Sequence, residues 1–220
     1  MEIKKYRMLR QACYDLQYGM VDGYELLLRE FVDDEWRVPA DFSILTPELF
    51  SGLVAEAMEH LPSKSRIMIN LDHDQFVDRK MLDAIINVHE KLPDYGLTVE
   101  LTERDNTKMI MDVELLRSAM YLTSKGVALS LDDVGSGVNQ FELLRPLLPF
   151  VTELKFALQN FQTEIKTAYN KLYFWQELAN FLGKKFVLGG IETEEDLVIA
   201  RQLAVDYGQG YLYDRPQKFY

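Results

Sequence analysis

The residues best suited to chemistry stand at Asp132-Asp133. There an apolar run, Leu129-Ser130-Leu131, climbs to two adjacent carboxylates, and the turn Val134-Gly135-Ser136-Gly137 follows at once. Neighbouring strand residues point to opposite faces, so two such carboxylates can share one hard cation only where the strand ends and the chain turns. Gly135 and Gly137 permit that turn with positive φ and leave the backbone open to a ligand. A lone Asp-Asp is usually a strand end beside a helix cap. Here other polar residues arrive at matching places: Glu25, Asn70, Glu100 and Lys155 each close, or nearly close, a separate apolar stretch. The donors are oxygen, which suits Mg²⁺, Mn²⁺ or Ca²⁺ and not zinc held by thiolates. These carboxylates would repel one another without a cation. Two divalent ions would neutralise them and could activate a water for attack on a phosphodiester. Lys155 would supply a point charge to the phosphate or to that water.

Alternating strands and helices position these groups. Residues 11–16 and 21–29 read as a hairpin around Gly19. Further strands are expected at 66–71, 97–103, 127–132, 151–156 and 185–190, with a last short strand and loop in 206–213. Thr46-Pro47 is the cap and first residue of a helix reaching His60. Helices follow at 80–91, at 112–125 closed by Gly126, at 141–147, and at 164–182 ending at Gly183. A last helix is capped by Thr193 and carries Glu194, Glu195 and Asp196 in its first turn. Strands recur at roughly the thirty-residue spacing of βα units, which means a parallel sheet in one domain. The pattern alone admits a doubly wound open sheet or a closed barrel. In a (β/α)8 barrel the polar strand ends meet at the C-terminal face, where catalytic groups sit.

Composition narrows the function. A net charge of −11 argues against broad nucleic-acid binding, which needs a basic footprint. The single cysteine, Cys13, excludes an internal disulfide and a cysteine zinc site, and reads as a small buried hydrophobe. Residues 1–10 are charged and lack the apolar segment of a signal peptide. No apolar run reaches the ~18 residues of a membrane span. The expectation is a cytoplasmic, stand-alone domain with neither DNA nor a membrane as partner. Trp36, Trp175, Phe174 and Phe181 read as core or interface packing. His60, His73 and His89 lack metal-site spacing. Asp72-His73-Asp74 follows a strand end, where solvated loop charge outweighs a weak role in the site.

At the polar strand ends the chain resembles EAL domains, the family of bacterial cyclic di-GMP phosphodiesterases. Glu25-Leu26-Leu27, followed by Arg29, stands where that family has its name motif, Glu-Ala-Leu. Gln11 matches the glutamine of its first strand. Then come Ile69-Asn70-Leu71, Glu100-Leu101-Thr102-Glu103, Asp132-Asp133-Val134-Gly135-Ser136-Gly137, Leu154-Lys155 and Ile191-Glu192-Thr193-Glu194. Tyr207-Gly208-Gln209-Gly210-Tyr211 with Arg215-Pro216 closes the set. The blocks keep the family's order and nearly its spacing. The resemblance implies a TIM-like (β/α)8 barrel with an antiparallel first strand. It implies Mg²⁺ or Mn²⁺ held by Glu25, Asn70, Glu100, Asp132 and Asp133, with Lys155 and Glu192 beside the metal-bound water. It puts Gln209 at the site's edge, Arg29 on a substrate phosphate and Gln11 on a guanine or nearby. It further implies that copies can pair as a homodimer through the loop and helix at 132–147.

The chain departs from the family at telling places. Gly189-Gly190-Ile191-Glu192 stands for Glu-Gly-Val-Glu, so a catalytic glutamate is replaced by Gly189, which offers neither a metal ligand nor a proton acceptor. Asp133 or Glu192 could move in, or a water fill the gap, but metal geometry tolerates little displacement of its donors. Val134 replaces a phenylalanine, Ala157 replaces the aspartate two residues after Lys155, and 38–43 lacks the usual Pro-x-x-Phe-Ile-Pro form. These changes point to a domain that binds cyclic di-GMP and a divalent metal with hydrolysis weak or lost. The alternatives are an active phosphodiesterase giving linear pGpG, or a non-catalytic regulatory module acting through a protein partner.

Overall fold

A computed structural model describes residues 5–102, 110–161 and 165–219, the side chains of 165–167 excepted. β1 (Tyr6–Asp15) and β2 (Met20–Val32) form the expected hairpin, each longer than the apolar alternation suggested. β2 turns back into β3 (Glu35–Arg37) through Asp33 and Asp34, both at positive φ, the geometry of a two-residue hairpin turn. From β2 a run of parallel pairings leads through β4 (Arg66–Leu71), β5 (Gly96–Leu101), β6 (Ala128–Leu131), β7 (Glu153–Ala157) and β8 (Lys185–Gly189) to β9 (Tyr207–Gly208). β9 pairs antiparallel with β1, so the sheet closes. The closed, TIM-like barrel with an antiparallel first strand is thus realised, and the open sheet is not.

Helices cover the outside: α1 (Pro47–Met58), α2 (His73–Val77), α3 (Arg79–Lys91), α4 (Asp112–Ser124), α5 (Phe141–Leu144), α6 (Ile165–Leu182) and α7 (Glu194–Gln202). Local signals fix their ends. Thr46 Oγ1 accepts from the Leu49 amide at 3.2 Å, with Pro47 as first residue. The Asp196 carboxylate accepts from the Thr193 amide at 2.9 Å. α3 buries Met81, Leu82, Ile85, Ile86 and Val88, one face at helical spacing, against the outer wall of the barrel. α2 falls where a loop was expected, at Asp72-His73-Asp74. His73 is buried there, so the solvated-loop reading of it is corrected. Among the described residues no helix is long and apolar enough to cross a membrane.

The barrel interior is filled in layers, as period-two alternation of the strands requires. Arg66 and Glu153 begin β4 and β7 and pair at the floor, Nη1 to Oε2 at 2.7 Å. Above them Cys13, Met68 and Val187 form a small apolar cluster separate from the main core. Burial pushes the Cys13 thiol up, out of reach of ionisation at neutral pH, in keeping with a structural cysteine. The next inward positions on β2, β4, β5 and β7 are Glu25, Asn70, Glu100 and Lys155. These four polar side chains therefore gather at the C-terminal mouth, above the apolar layer.

Candidate active site

Lys155 lies at the centre of the mouth, with its side chain 8 % exposed. Its ammonium stands 3.0 Å from Glu25 Oε2, 3.1 Å from Glu100 Oε2 and 3.6 Å from Asp132 Oδ1. Asn70 donates from Nδ2 to Glu25 Oε1, and Gln209 donates from Nε2 to Glu25 Oε2 at 2.8 Å. Six separate strands or strand ends are thereby tied to one point. Burial works to raise the Glu25 carboxyl, but the Lys155 charge and the donors from Asn70, Lys155 and Gln209 hold it below its ordinary value. Burial, with the neighbouring Glu25 and Asp132 charges, pushes Glu100 well above its ordinary value against the pull of Lys155. The three carboxylates hold Lys155 well above the usual lysine value in spite of its burial.

Glu25, Asn70, Asp132, Asp133, Lys155 and Glu192 line one cleft of about 360 Å³, together with Gln11 and Gln209. Asp133 enters it because β6 stops at Leu131 and Asp133 takes a left-handed backbone, φ 50°. That turn is what brings adjacent aspartates to one cavity. Glu100 lies deeper, 1 % exposed, and reaches the group through Lys155. Gln209 is not at the edge: it is buried and bonded to Glu25, because β9 is only two residues long and the chain turns inward after it. Gln11 lines the cleft while its amide donates to the Asp214 carbonyl at 2.9 Å. Glu192 is exposed at the rim. Arg29 is set apart. Its guanidinium donates to the Leu28 carbonyl and lines an adjoining hollow that shares Leu27 and Asn70 with the cleft. Glu103, at the end of the Glu100 block, lies outside the described residues.

Sequence reading missed the residue that holds the aspartate loop. Asn139 is fully buried; its Nδ2 donates to the Asp132 carbonyl at 2.7 Å and the Leu101 carbonyl at 3.1 Å, and its Oδ1 faces His73 Nε2 at 3.3 Å. An asparagine just after a glycine-rich turn was the available signal. Trp175 packs where a Cβ on Gly135 would stand, and Lys171 donates to the Gly135 carbonyl at 2.9 Å, so α6 braces the same loop. Trp175 is buried as packing required, whereas Phe181 is 87 % exposed and belongs to no core. We expect Asn139→Ala to lower stability by about 1–3 kcal/mol, because two buried carbonyls lose their donor. Urea denaturation reads this as a lower midpoint at unchanged slope; an unchanged midpoint would contradict the role.

Gly189 ends β8 directly opposite Ala157 on β7. Both line the cleft, so its β7–β8 wall above Lys155 carries no carboxylate. A Cβ built at Gly189 would meet only ordinary contacts, 3.6 Å or more from Phe156 and Ala157. Gly190 differs: its φ is +75° and Gln159 fills the space of a Cβ.

The sequence matches the family described as EAL domain over residues 2–216. A cyclic di-GMP phosphodiesterase of Pseudomonas aeruginosa is 26% identical over 96% of this chain and 38% of its own length. The chain spans about a third of the length of the first curated relatives it matches. The PaMucR phosphodiesterase, solved as a c-di-GMP complex, superposes with TM-score 0.79 at 22% identity, covering 97% of this chain and 92% of that one. The Bacillus subtilis YkuI protein, solved with c-di-GMP and calcium, gives TM-score 0.77 at 20% identity over 97% and 56%. On the family match over nearly its whole length, with the barrel and the polar mouth in agreement, the chain belongs to the EAL domain family.

Proposed function

We propose that the cleft binds cyclic di-GMP together with a divalent cation, and that hydrolysis is weak or lost. The observation that carries this reading is the one-sided placement of the carboxylates on the strands and at their ends. Glu25, Glu100, Asp132 and Asp133 all belong to the β2, β5 and β6 side, while Ala157 and Gly189 face each other on the β7–β8 side. Relatives named as cyclic di-GMP phosphodiesterases, and neighbours solved with c-di-GMP, support the choice of ligand.

The residues fit an oxygen-seeking cation such as Mg²⁺ or Mn²⁺. The donors are carboxylates and an amide, and Glu100 Oε1 is buried with no hydrogen-bond partner among the described residues. Glu25, Asn70, Glu100 and Asp132 would hold the ion, with Asp133 at the mouth. Among the described residues no three acidic or histidine side chains form a ready-made cage, since the carboxylates close on Lys155 instead. A bound ion would neutralise the carboxylates and lower the pKa of a water for attack on phosphorus. Gln11 would orient one end of the dinucleotide, and Asp133, Lys155 and Glu192 would face the scissile phosphate. Arg29 would have to turn from Leu28 to reach a phosphate. No carboxylate on the β7–β8 wall is placed to take the proton from the attacking water. The exposed Tyr173 and Phe174 of α6, beside the braced 132–147 loop, support pairing with a second copy there.

The test is a calorimetric titration with cyclic di-GMP in Mg²⁺ and Mn²⁺, run beside a product assay for linear pGpG. Saturable binding is expected, with turnover far below the ordinary range of about 1–10³ s⁻¹. Turnover within that range would favour the active phosphodiesterase. Absence of binding would favour a module that acts only through a protein partner.

A further inference from the structure

We infer that Lys155 is the resident counter-ion of this site: its ammonium positions Glu25, Glu100 and Asp132 and competes with a divalent cation for the same carboxylates. The inference rests on the cation-binding reading above and goes beyond it by naming what a metal must displace. Three carboxylates from β2, β5 and the end of β6 converge within 3.6 Å of one nitrogen. The ammonium is buried with them, so water screens these contacts little. An ammonium and a hard divalent ion seek the same oxygens, and both cannot occupy the centre of one small cluster. Glu25 is further tied by Asn70 and Gln209, so the cluster is held in a converged form by the protein's own cation. Lys155 is anchored from below on β7, whose residues pair with β8 along its length. Its ammonium, at the end of a flexible four-carbon stem, can withdraw toward the cleft when a metal enters. On this account Lys155 sets a threshold: metal enters only where its attraction to the carboxylates exceeds that of the ammonium.

The test compares wild type, Lys155→Met and Lys155→Arg by calorimetric titration with Mn²⁺ and by thermal melts in chelator and in saturating Mn²⁺. Lys155→Met, which keeps volume and removes charge, is expected to bind Mn²⁺ at least about tenfold more tightly. It should melt lower in chelator, because unpaired carboxylates are left buried, and gain more from Mn²⁺ than wild type does. Lys155→Arg should keep weak binding of the wild-type kind. A purely packing role predicts that Met behaves as Lys, and equal or weaker Mn²⁺ affinity in Lys155→Met overturns the inference while leaving the cation site standing. Failure of all three proteins to bind Mn²⁺ overturns both. If Lys155→Met folds only with Mn²⁺, the inference is supported. Should it not fold at all, ¹⁵N-lysine spectra of wild type decide: Mg²⁺ binding must shift the buried ammonium signal, and an unmoved signal overturns the inference.

Discussion

Gly189→Glu is expected to raise cyclic di-GMP turnover by about 10²–10⁴-fold, the contribution typical of a positioned general base. The backbone already accepts the change. Gly189 lies in β8 outside the left-handed region, its neighbours are at ordinary van der Waals distance, and it lines the cleft beside Ala157, on the same wall as Lys155. A glutamate there would bring a carboxylate to the one wall that has none, opposite Glu25 and Asp132. Burial cost is moderate because the cleft is open to water and Ala157 leaves room beside it. Affinity for cyclic di-GMP in Mg²⁺ should change far less than the rate, since the new group acts on the attacking water and not on the bound bases. Single-turnover assays of linear product by chromatography would read the effect. Equal turnover in wild type and variant would show that Gly189 is not what limits the reaction. The same substitution at Gly190 is a negative control on geometry: positive φ and the contact with Gln159 make it a strained site.

The elements that hold this site were legible to different degrees, for physical reasons. β4 was readable to the residue because Arg66–Leu71 is a short apolar run bounded by polar punctuation. α1, α4 and α7 were readable because Thr46, Gly126 and Thr193 mark their ends by backbone chemistry local to the sequence. β3 escaped because its turn, Asp33-Asp34, reaches positive φ without glycine. α2 escaped because five residues give no helical period. Among site residues, strand-end position exposed Glu25, Asn70, Glu100, Asp132 and Lys155, since alternation fixes which side chains point inward. It could not tell that Lys155 would close on three of them, or that Gln209 would turn inward after so short a strand. Asn139 left only the faint signal of an asparagine after a glycine-rich turn, because its work is done on the backbone carbonyls of Leu101 and Asp132, brought together only in the fold. Such contacts depend on closure of the barrel, and no spacing rule reports them.

Arg66→Met is expected to cost about 3–5 kcal/mol of stability, the penalty for leaving a buried charge without its partner. Arg66 opens β4 and reaches two acids: Nε to Asp22 Oδ2 at 2.6 Å and Nη1 to Glu153 Oε2 at 2.7 Å. Its guanidinium also lies over the Tyr207 ring, 5.0 Å from the centroid. Glu153 is 3 % exposed, and burial raises its carboxyl even with Arg66 beside it. Removing the guanidinium would strand that buried carboxylate beneath Cys13 and Met68. For a chain of this size the loss corresponds to a fall in melting temperature of about 6–20 °C. The pair does not thereby become a net source of stability. Arg66→Met combined with Glu153→Met should recover most of the loss, because an apolar floor needs no counter-ion. A double-mutant cycle separates the two effects. If Arg66→Met alone melts as wild type, the floor is wetter than its burial implies. If the double variant melts as low as the single one, the layer depends on Arg66 for the shape its guanidinium gives to the contact with Tyr207, and not for its charge. Charge and shape therefore predict different melting temperatures for the double variant: near wild type if charge is what the floor requires, as low as Arg66→Met alone if shape is.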